Sequence, residues 1–355
     1  DHGVNGILIP DWTLQWVLTA GDYLCYTGDL ATVEAVFPAV ERALTWFERL
    51  RTSNGLVADL PYWHFMDWAA LGRKGEAATL NAQLAGASAT AGRIADVLGY
   101  ARAAEKYRAR VAEIQTALER HWDAARGAYV DMVDPVTGAR DRRMSQHANA
   151  AMILWGGAPR ARWPAMVARM TDPGRLTFTP APPIAPEGEP LDVEEGVVLA
   201  NTFYSHFVYG ALAEAGRLDL ALQGMRERYG PMLERGADTL WESFDPTASL
   251  CHGFSASPTH HLTTRLLGLA PGEDGWRTLA FAPDLAGLVQ AEGRIATVRG
   301  PIAVRLERTA ARSMAAELQL PPGIDAVIDP ARYRAGTYRL AGGASHHLEL
   351  AVEGE

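Results

Sequence analysis

The chain has 355 residues and a net charge of −9 at pH 7, with 48% hydrophobic and 21% charged residues. This composition is ordinary for a soluble globular protein, and the length is sufficient for two domains. The acidic balance argues against a nucleic-acid partner, and no apolar run reaches the roughly 18 residues that a membrane-spanning helix needs.

Cysteine usage and the chain start give two further expectations. Cys25 and Cys251 lie far apart and match neither a zinc motif nor a disulfide framework. We predict no metal and no cofactor. The chain begins at Asp1 rather than Met, and no signal sequence is visible before the first helical pattern. We therefore expect an N-terminal truncation and favour a soluble, cytoplasmic protein, with the oligomeric state left open.

Helical periodicity covers the first third of the chain. After Pro10, aromatic and aliphatic residues recur at helical spacing, with Asp11 as the expected N-cap. The third helical stretch is rich in Ala and Gly, which suits close helix packing. The predicted helices are 11–27, 30–51, 77–99 and 101–123.

Five more helical stretches follow a short β-like excursion near residues 128–138. No strand alternates with them, so this is not a βαβ protein. We see no repeat of fixed period, which argues against a solenoid and favours a closed α/α barrel of helical hairpins. The predicted helices are 145–154, 160–170, 195–215, 217–234 and 256–268.

From about residue 276 the pattern changes to short alternating segments separated by Gly and Pro turns. This pattern predicts a compact antiparallel β-sandwich. The predicted fold is therefore mainly α with a β domain: an α/α toroid of helical hairpins over residues 1–272 and a β-sandwich over 273–355.

The most distinctive stretch is 239–254. It places Glu242 between Trp241 and Phe244, with His252 ten residues further on. A carboxylate beside an aromatic wall is a usual arrangement for acid–base chemistry on a sugar, because rings pack on sugar faces while the carboxylate handles protons. The alternative is that both aromatic residues lie in the core and the glutamate faces water.

Two other loops carry candidate residues. The aromatic loop at 60–68 contains Trp63, Asp67 and Trp68. The proline-rich loop at 172–194 is long enough to be functional, although acidic runs of this kind are more often solvated surface. The candidate acidic residues in this loop and directly after it are Glu187, Glu189, Asp192, Glu194 and Glu195.

These segments together resemble the bacterial α-L-rhamnosidases of glycoside hydrolase family 78. The strongest similarity runs from Tyr229-Gly230-Pro231 through Trp241-Glu242 to His252-Gly253-Phe254. Each piece is modestly specific, and their order and spacing across nearly the whole chain are more so. The further similar segments are Pro10–Leu14, Asp67-Trp68, Ser145–Ala150, Leu266–Pro271, Gly275-Trp276, Ala282-Pro283 and Gly300–Ile302.

The resemblance implies six helical hairpins followed by a β-sandwich, and hydrolysis of terminal α-L-rhamnose from rhamnose-containing glycosides with inversion. Glu242 matches the family's general base. His252, Trp12 and Trp68 match residues that help to bind the sugar, and tryptophans suit the apolar C6 methyl group of rhamnose. Asp67 is expected either to accept hydrogen bonds from the sugar or to cap its loop. The other expected substrate-binding residues are Asp11, Trp63 and Trp241.

One feature of the family has no counterpart in the sequence. Its general acid is a glutamate in the first hairpin, before the segment that matches Pro10-Asp11-Trp12. The run Arg140–Arg143 is only superficially similar and stands in the wrong place. About nine helices against an expected twelve agree with a missing hairpin, so we expect the general acid to lie upstream of Asp1.

Two alternatives remain open on the sequence. One is a different α/α-barrel carbohydrate enzyme, either another exo-glycosidase or a polysaccharide lyase. A lyase would need a Tyr/His or Arg centre, and Glu242 would then be incidental. The other is a non-catalytic, sugar-binding fragment.

Overall fold

The computed structural model describes residues 8–179 and 191–352. They form two compact units. The first contains the described residues through Gly21 together with Glu34–Ser257, and the second contains Asp22–Val33 together with the described residues from Pro258 onwards. Across the described ranges, no helix is both long enough and apolar enough to span a bilayer.

Nine α-helices occur in the described parts of the chain, and a π-helical turn at Leu262–Leu266 follows the last of them. They are α1 Pro10–Thr27, α2 Leu30–Glu48, α3 Ala78–Val97, α4 Ala101–Leu118, α5 Gln146–Leu154, α6 Trp163–Met170, α7 Thr202–Glu214, α8 Leu218–Glu234 and α9 Ser257–His261.

Helices α3–α8 of the first unit are arranged as an inner row with a partner for each member. α3 packs against α5 and α5 against α7, while α4, α6 and α8 pack against the helices that precede them. Most side chains of α3 and α5 are buried, whereas α4 and α8 each bury one face. The small residues of α3 permit a close approach: a Cβ on Gly86 would lie 2.7 Å from the Trp155 ring. This succession of paired helices confirms the predicted helical-hairpin architecture.

In the described part of the chain, six two-residue strands lie between these helices. β1 pairs with β4 and β2 with β3, both antiparallel, while β5 and β6 pair in parallel. They are β1 Glu76–Ala77, β2 Trp122–Asp123, β3 Ala128–Tyr129, β4 Met132–Val133, β5 Leu176–Thr177 and β6 Val197–Val198.

The second unit contains two sheets that share one core. The five-stranded sheet has the order β13-β15-β11-β10-β9, and the four-stranded sheet has the order β14-β12-β8-β7. Both sheets contribute to the same buried cluster, which includes Phe281, Leu306 and Ile328. The strands are β7 Leu269–Pro271, β8 Thr278–Phe281, β9 Gln290–Thr297, β10 Gly300–Ala310, β11 Ser313–Gln319, β12 Asp325–Ile328, β13 Tyr333–Ala335, β14 Arg339–Leu340 and β15 Ser345–Val352.

The predicted β domain is therefore confirmed, with one difference in its pairing. The described strands of these two sheets pair antiparallel except β8 and β12, which are parallel. Periodicity identifies strands but not their partners, so a parallel pair could not be predicted from the pattern alone.

The first helix corrects one detail of the sequence analysis. Asp11 was predicted to be its N-cap, but the helix begins at Pro10, so Asp11 lies inside the first turn. Proline is well suited to the first helical position because its fixed φ fits the helix and its missing N–H would be unpaired there anyway. The Asp11 side chain is used elsewhere, as the site shows.

Candidate active site

Glu242 is held by a loop whose two arms are hydrogen-bonded to each other. The Glu242 amide donates to the carbonyl of Ser249 at 2.8 Å, and the His252 amide donates to the carbonyl of Leu240 at 2.7 Å. The Thr202 hydroxyl also donates to the Glu242 carbonyl. These bonds bring Glu242 and His252 together from positions ten residues apart.

The Glu242 carboxylate has a different partner on each oxygen. The indole N–H of Trp68 donates to Oε1 at 3.2 Å, and Nδ1 of His252 lies 3.8 Å from Oε2. The side chain is 15% exposed, against 36% for His252. The glutamate is thus neither a core residue nor a free surface group. It is a partly screened carboxylate with an accessible edge.

Trp241, next to it, has a different environment. Its side chain is buried, and its carbonyl accepts a hydrogen bond from the buried Ser255 hydroxyl. The alternative proposed for this stretch therefore describes Trp241 but not Glu242. A substrate-binding role for Trp241 stays a prediction, and its position in the interior favours a packing role.

The aromatic wall comes from four separate segments of the chain. Trp68 lies against Phe65 and Trp63, with ring centroids at 4.8 and 5.7 Å. Phe203 lies 5.3 Å from both Trp12 and Phe254, and Phe254 lies 4.2 Å from the His252 ring. Trp63 is 42% exposed, so the wall has a face open to solvent.

The structure thus brings together the predicted residues Glu242, Trp68, Trp63, Trp12 and His252. It adds three phenylalanines that the sequence analysis did not select as site residues. Apolar residues at helix starts and in loops give no signal that separates a site wall from ordinary packing. Their role becomes visible only through their contacts with the tryptophans. These phenylalanines are Phe65, Phe203 and Phe254.

Asp11 fixes the backbone of the aromatic loop. Its Oδ1 accepts from the Phe65 amide at 2.9 Å and its Oδ2 from the Met66 amide at 2.7 Å. Met66 has φ of +49°, a conformation that costs a non-glycine residue free energy. Burial raises the pKa of Asp11, and these two amide donors oppose that rise. The carboxylate therefore offsets local backbone strain beside Trp68.

Arg73 holds the same loop from its other side. Its guanidinium donates to the carbonyls of His64, Phe65, Asp67 and Ala69 at 2.8–3.2 Å. Burial lowers the pKa of Arg73, while the nearby carboxylates of Asp67, Asp11 and Asp131 raise it. The sequence analysis did not select this arginine, because its partners are backbone atoms.

Asp67 is also occupied by the protein. Its Oδ1 accepts from the Trp68 amide at 2.9 Å, and its Oδ2 accepts from the Asn201 amide at 2.7 Å and lies 2.8 Å from Nε2 of His147. The side chains of Asp67, Asn201 and His147 are all buried. The geometry favours the loop-capping alternative for Asp67, and substrate binding by Asp11 and Asp67 stays a prediction.

The acidic loop is only partly described. Glu187 and Glu189 lie outside the described residues. Glu194 pairs with Arg142, and Glu195 pairs with Arg175 and Arg169. Their exposed positions agree with the solvated-surface alternative.

Within the described ranges, no three His, Cys, Asp or Glu side chains are grouped so that they could bind a metal ion. Cys25 and Cys251 form no disulfide.

Two family models match the chain. The bacterial α-L-rhamnosidase six-hairpin glycosidase domain matches residues 4–177, and the bacterial α-L-rhamnosidase C-terminal domain matches residues 268–334. The chain belongs to the bacterial α-L-rhamnosidase family. Glu242 and His252 lie between the two matched segments, while Trp12, Trp63 and Trp68 lie inside the first. No match was found among curated protein sequences.

Solved structures give the same fold. A glycoside hydrolase family 78 rhamnosidase of Bacillus sp. GL1 is 28% identical over 91% of this chain, with a TM-score of 0.77. An α-L-rhamnosidase from Dictyoglumus thermophilum is 15% identical over 97% of the chain, with a TM-score of 0.72. A Streptomyces avermitilis α-L-rhamnosidase complexed with L-rhamnose is 19% identical over 93%, with a TM-score of 0.63.

The chain spans 33%, 40% and 31% of the lengths of these three proteins. The last two similarities, below 25% identity, show the fold alone.

Proposed function

We propose that this chain contributes the sugar-binding pocket and the general base of an inverting α-L-rhamnosidase. The substrate class is a glycoside with a terminal α-L-rhamnosyl group. The observation that carries the proposal is the pairing of Glu242 with Trp68 and His252 beside an aromatic wall, in a chain of the rhamnosidase family.

The geometry suits a base that activates water. The indole N–H occupies one lone pair of Oε1, so the carboxylate is fixed in orientation while other lone pairs remain for a water molecule. An inverting enzyme needs this water on the sugar face opposite the leaving group, between base and acid carboxyls that lie ~6.5–9.5 Å apart. In this proposal Glu242 takes a proton from the water as the water attacks the anomeric carbon.

The aromatic wall supports rhamnose as the sugar in this proposal. Rhamnose carries a methyl group at C6 where most hexoses carry a hydroxymethyl group. Trp63, Trp68 and Phe254 present ring faces and edges that gain from apolar contact and would leave a buried hydroxyl without a partner. His252, half-buried beside Glu242, supplies a polar group for the sugar hydroxyls.

The direct test is the hydrolysis of nitrophenyl glycosides by the protein as encoded by its gene, with the first-formed sugar followed by proton NMR. We expect release from α-L-rhamnoside and at most traces from α-D-mannoside or β-D-glucoside. Inversion predicts that β-L-rhamnose appears first and then mutarotates. Initial α-L-rhamnose would contradict a general-base role, because retention requires a covalent intermediate. Turnover confined to another glycoside would contradict the substrate.

A further inference from the structure

Asn201 connects the two loops that position Glu242. Its Nδ2 donates to the carbonyl of Trp68 at 3.1 Å and to the Ser243 hydroxyl at 2.9 Å. Its Oδ1 accepts from the amide of Phe244 at 2.9 Å. One amide side chain therefore bonds to the residue that donates to the Glu242 carboxylate and to both residues that follow Glu242.

Burial and hydrogen bonds constrain the Asn201 side chain and its backbone. Asn201 and Ser243 are fully buried, and the Asn201 backbone amide donates to the buried Asp67, whose other oxygen binds the Trp68 amide. Asn201 is also the N-cap of α7, and the next residue, Thr202, donates to the Glu242 carbonyl. Helix α7 thus presents two consecutive side chains to the Glu242 loop.

We propose that Asn201 is a positioning residue that sets the distance between the Trp68 indole and the Glu242 carboxylate. The proposal rests on the proposed function of Glu242. Without the amide, the Trp68 carbonyl and the Phe244 amide lose their buried partner, and the two loops are no longer linked through a common side chain. A general base displaced by about 1 Å can lose as much as 100-fold in rate.

A purely structural role would give a different result, and the chain contains a matched control. Asn149 on α5 is also buried, and its side chain makes three hydrogen bonds against four for Asn201: one from the Tyr129 amide and two to the carbonyls of Tyr129 and Ser145. These bonds fix strand β3 and do not reach Glu242 or Trp68. Asn149→Ala therefore removes a comparable buried amide from the same unit.

The kinetic experiment compares Asn201→Ala with Asn149→Ala in the protein as encoded by its gene, on nitrophenyl α-L-rhamnoside. We expect kcat to fall about 10–100-fold in Asn201→Ala with KM changed less than threefold, and kcat to stay within threefold of wild type in Asn149→Ala. Melting temperatures should fall in both. Equal kcat losses in the two variants would overturn the proposal. If Asn201→Ala does not fold, Ser243→Ala removes one of the four contacts of the Asn201 side chain, and its kcat should also fall.

A double-mutant cycle with Trp68→Phe identifies the route of the effect. Phenylalanine keeps an aromatic ring but lacks the indole N–H. If Asn201 acts through the contact between Trp68 and Glu242, its replacement should reduce kcat less in the Trp68→Phe background than in wild type. Independent, multiplicative losses would contradict this route.

NMR of the indole N–H groups tests the geometry without reference to activity. The Trp68 signal is assigned by its loss in Trp68→Phe. We expect it to shift in Asn201→Ala and to stay in place in Asn149→Ala, and an unshifted signal in Asn201→Ala overturns the inference. If Glu242→Gln leaves the rate unchanged, the proposed function fails by itself; if only the Asn201 results fail, Glu242 keeps its role.

Discussion

The two oxygens of the Glu242 carboxylate show how much a single residue depends on distant parts of the chain. One is 3.2 Å from an indole nitrogen that is 174 residues away in sequence, and the other faces His252. The motif around Glu242 was visible in the sequence, as were Trp68 and His252. Asn201 and Arg73 were not, because Arg73 donates to backbone carbonyls and Asn201 bonds mainly to backbone atoms, and the proximity of these partners depends on the tertiary fold.

Trp68 donates to Glu242 and is also predicted to bind the sugar. Trp68→Ala should weaken L-rhamnose binding by roughly 1–3 kcal/mol, since it removes an aromatic face. Isothermal calorimetry measures this directly. Trp163→Ala is a matched control, because Trp163 packs on Arg160 outside the aromatic wall and should leave the affinity unchanged. An unchanged affinity in Trp68→Ala with a large fall in melting temperature would make Trp68 a packing residue only.

Asp131 gives a prediction with a definite sign. Burial raises the pKa of Asp131 to about 6, although Ser145 and the Gly72 amide donate to it. Because this value lies above the ~3.9 of an unfolded chain, the folded state binds more protons between about pH 4 and pH 6. The contribution of Asp131 to the free energy of unfolding therefore falls as pH rises through this window.

Thermal or denaturant unfolding of Asp131→Asn at several pH values checks this. The lost hydrogen bond brings a penalty that does not depend on pH. The free energy of unfolding of the variant, relative to that of wild type, should rise by roughly 2–3 kcal/mol between pH 4 and pH 7. Asp134→Asn is the control of opposite sign, since hydrogen bonds from Thr137 lower the pKa of Asp134. Its effect lies below about pH 4, where wild type should lose stability relative to this variant as the pH falls. A stability difference between Asp131→Asn and wild type that does not change with pH would contradict the account.

At the scale of elements, periodicity predicted each described helix, but several ends were wrong. Helix α2 was predicted to reach residue 51 and ends at Glu48, because Arg51 pairs with Val57 in a β-bridge. The predicted helix 195–215 begins only at Thr202, since Val197–Val198 form strand β6 and Asn201 caps the helix. β-pairing decided both cases, with a segment six residues further on for α2 and with β5 for the start of α7, and an amphipathic pattern does not record it.

Two alanines of the β domain occupy the same kind of turn with opposite backbone conformations. The Ala286 amide donates to Asp284 and the Ala331 amide to Asp329, but only Ala286 has a positive φ, +47°. Left-handed backbone costs alanine roughly 1–2 kcal/mol, whereas glycine adopts it freely at some entropic cost.

We therefore expect Ala286→Gly to stabilise the protein by roughly 0.5–1 kcal/mol and Ala331→Gly to destabilise it by ~0.4–1 kcal/mol. Urea unfolding of the two variants beside wild type gives both numbers. The same sign for the two changes would mean that the φ difference carries no measurable strain.

At the scale of the whole molecule, the order of the motifs was more informative than any single one. The segments around Trp12, Trp68, Glu242 and the turns of the β domain predicted the family and both parts of the fold. The site itself is built from four stretches, near residues 11–12, 63–73, 201–203 and 241–254. The sequence predicted residues in three of them. The stretch at 201–203 was missed because neither an asparagine cap nor a phenylalanine is distinctive by itself.

Glu242→Gln, measured beside the exposed control Glu234→Gln, tests the central claim most directly. The amide keeps the shape of the side chain but accepts no proton from water, so kcat on nitrophenyl α-L-rhamnoside should fall ~10²–10⁴-fold while L-rhamnose still binds. Glu234→Gln, at the exposed end of α8, should match wild type in both assays. A Glu242→Gln enzyme with kcat within tenfold of wild type would contradict the account and remove Glu242 from the role of general base.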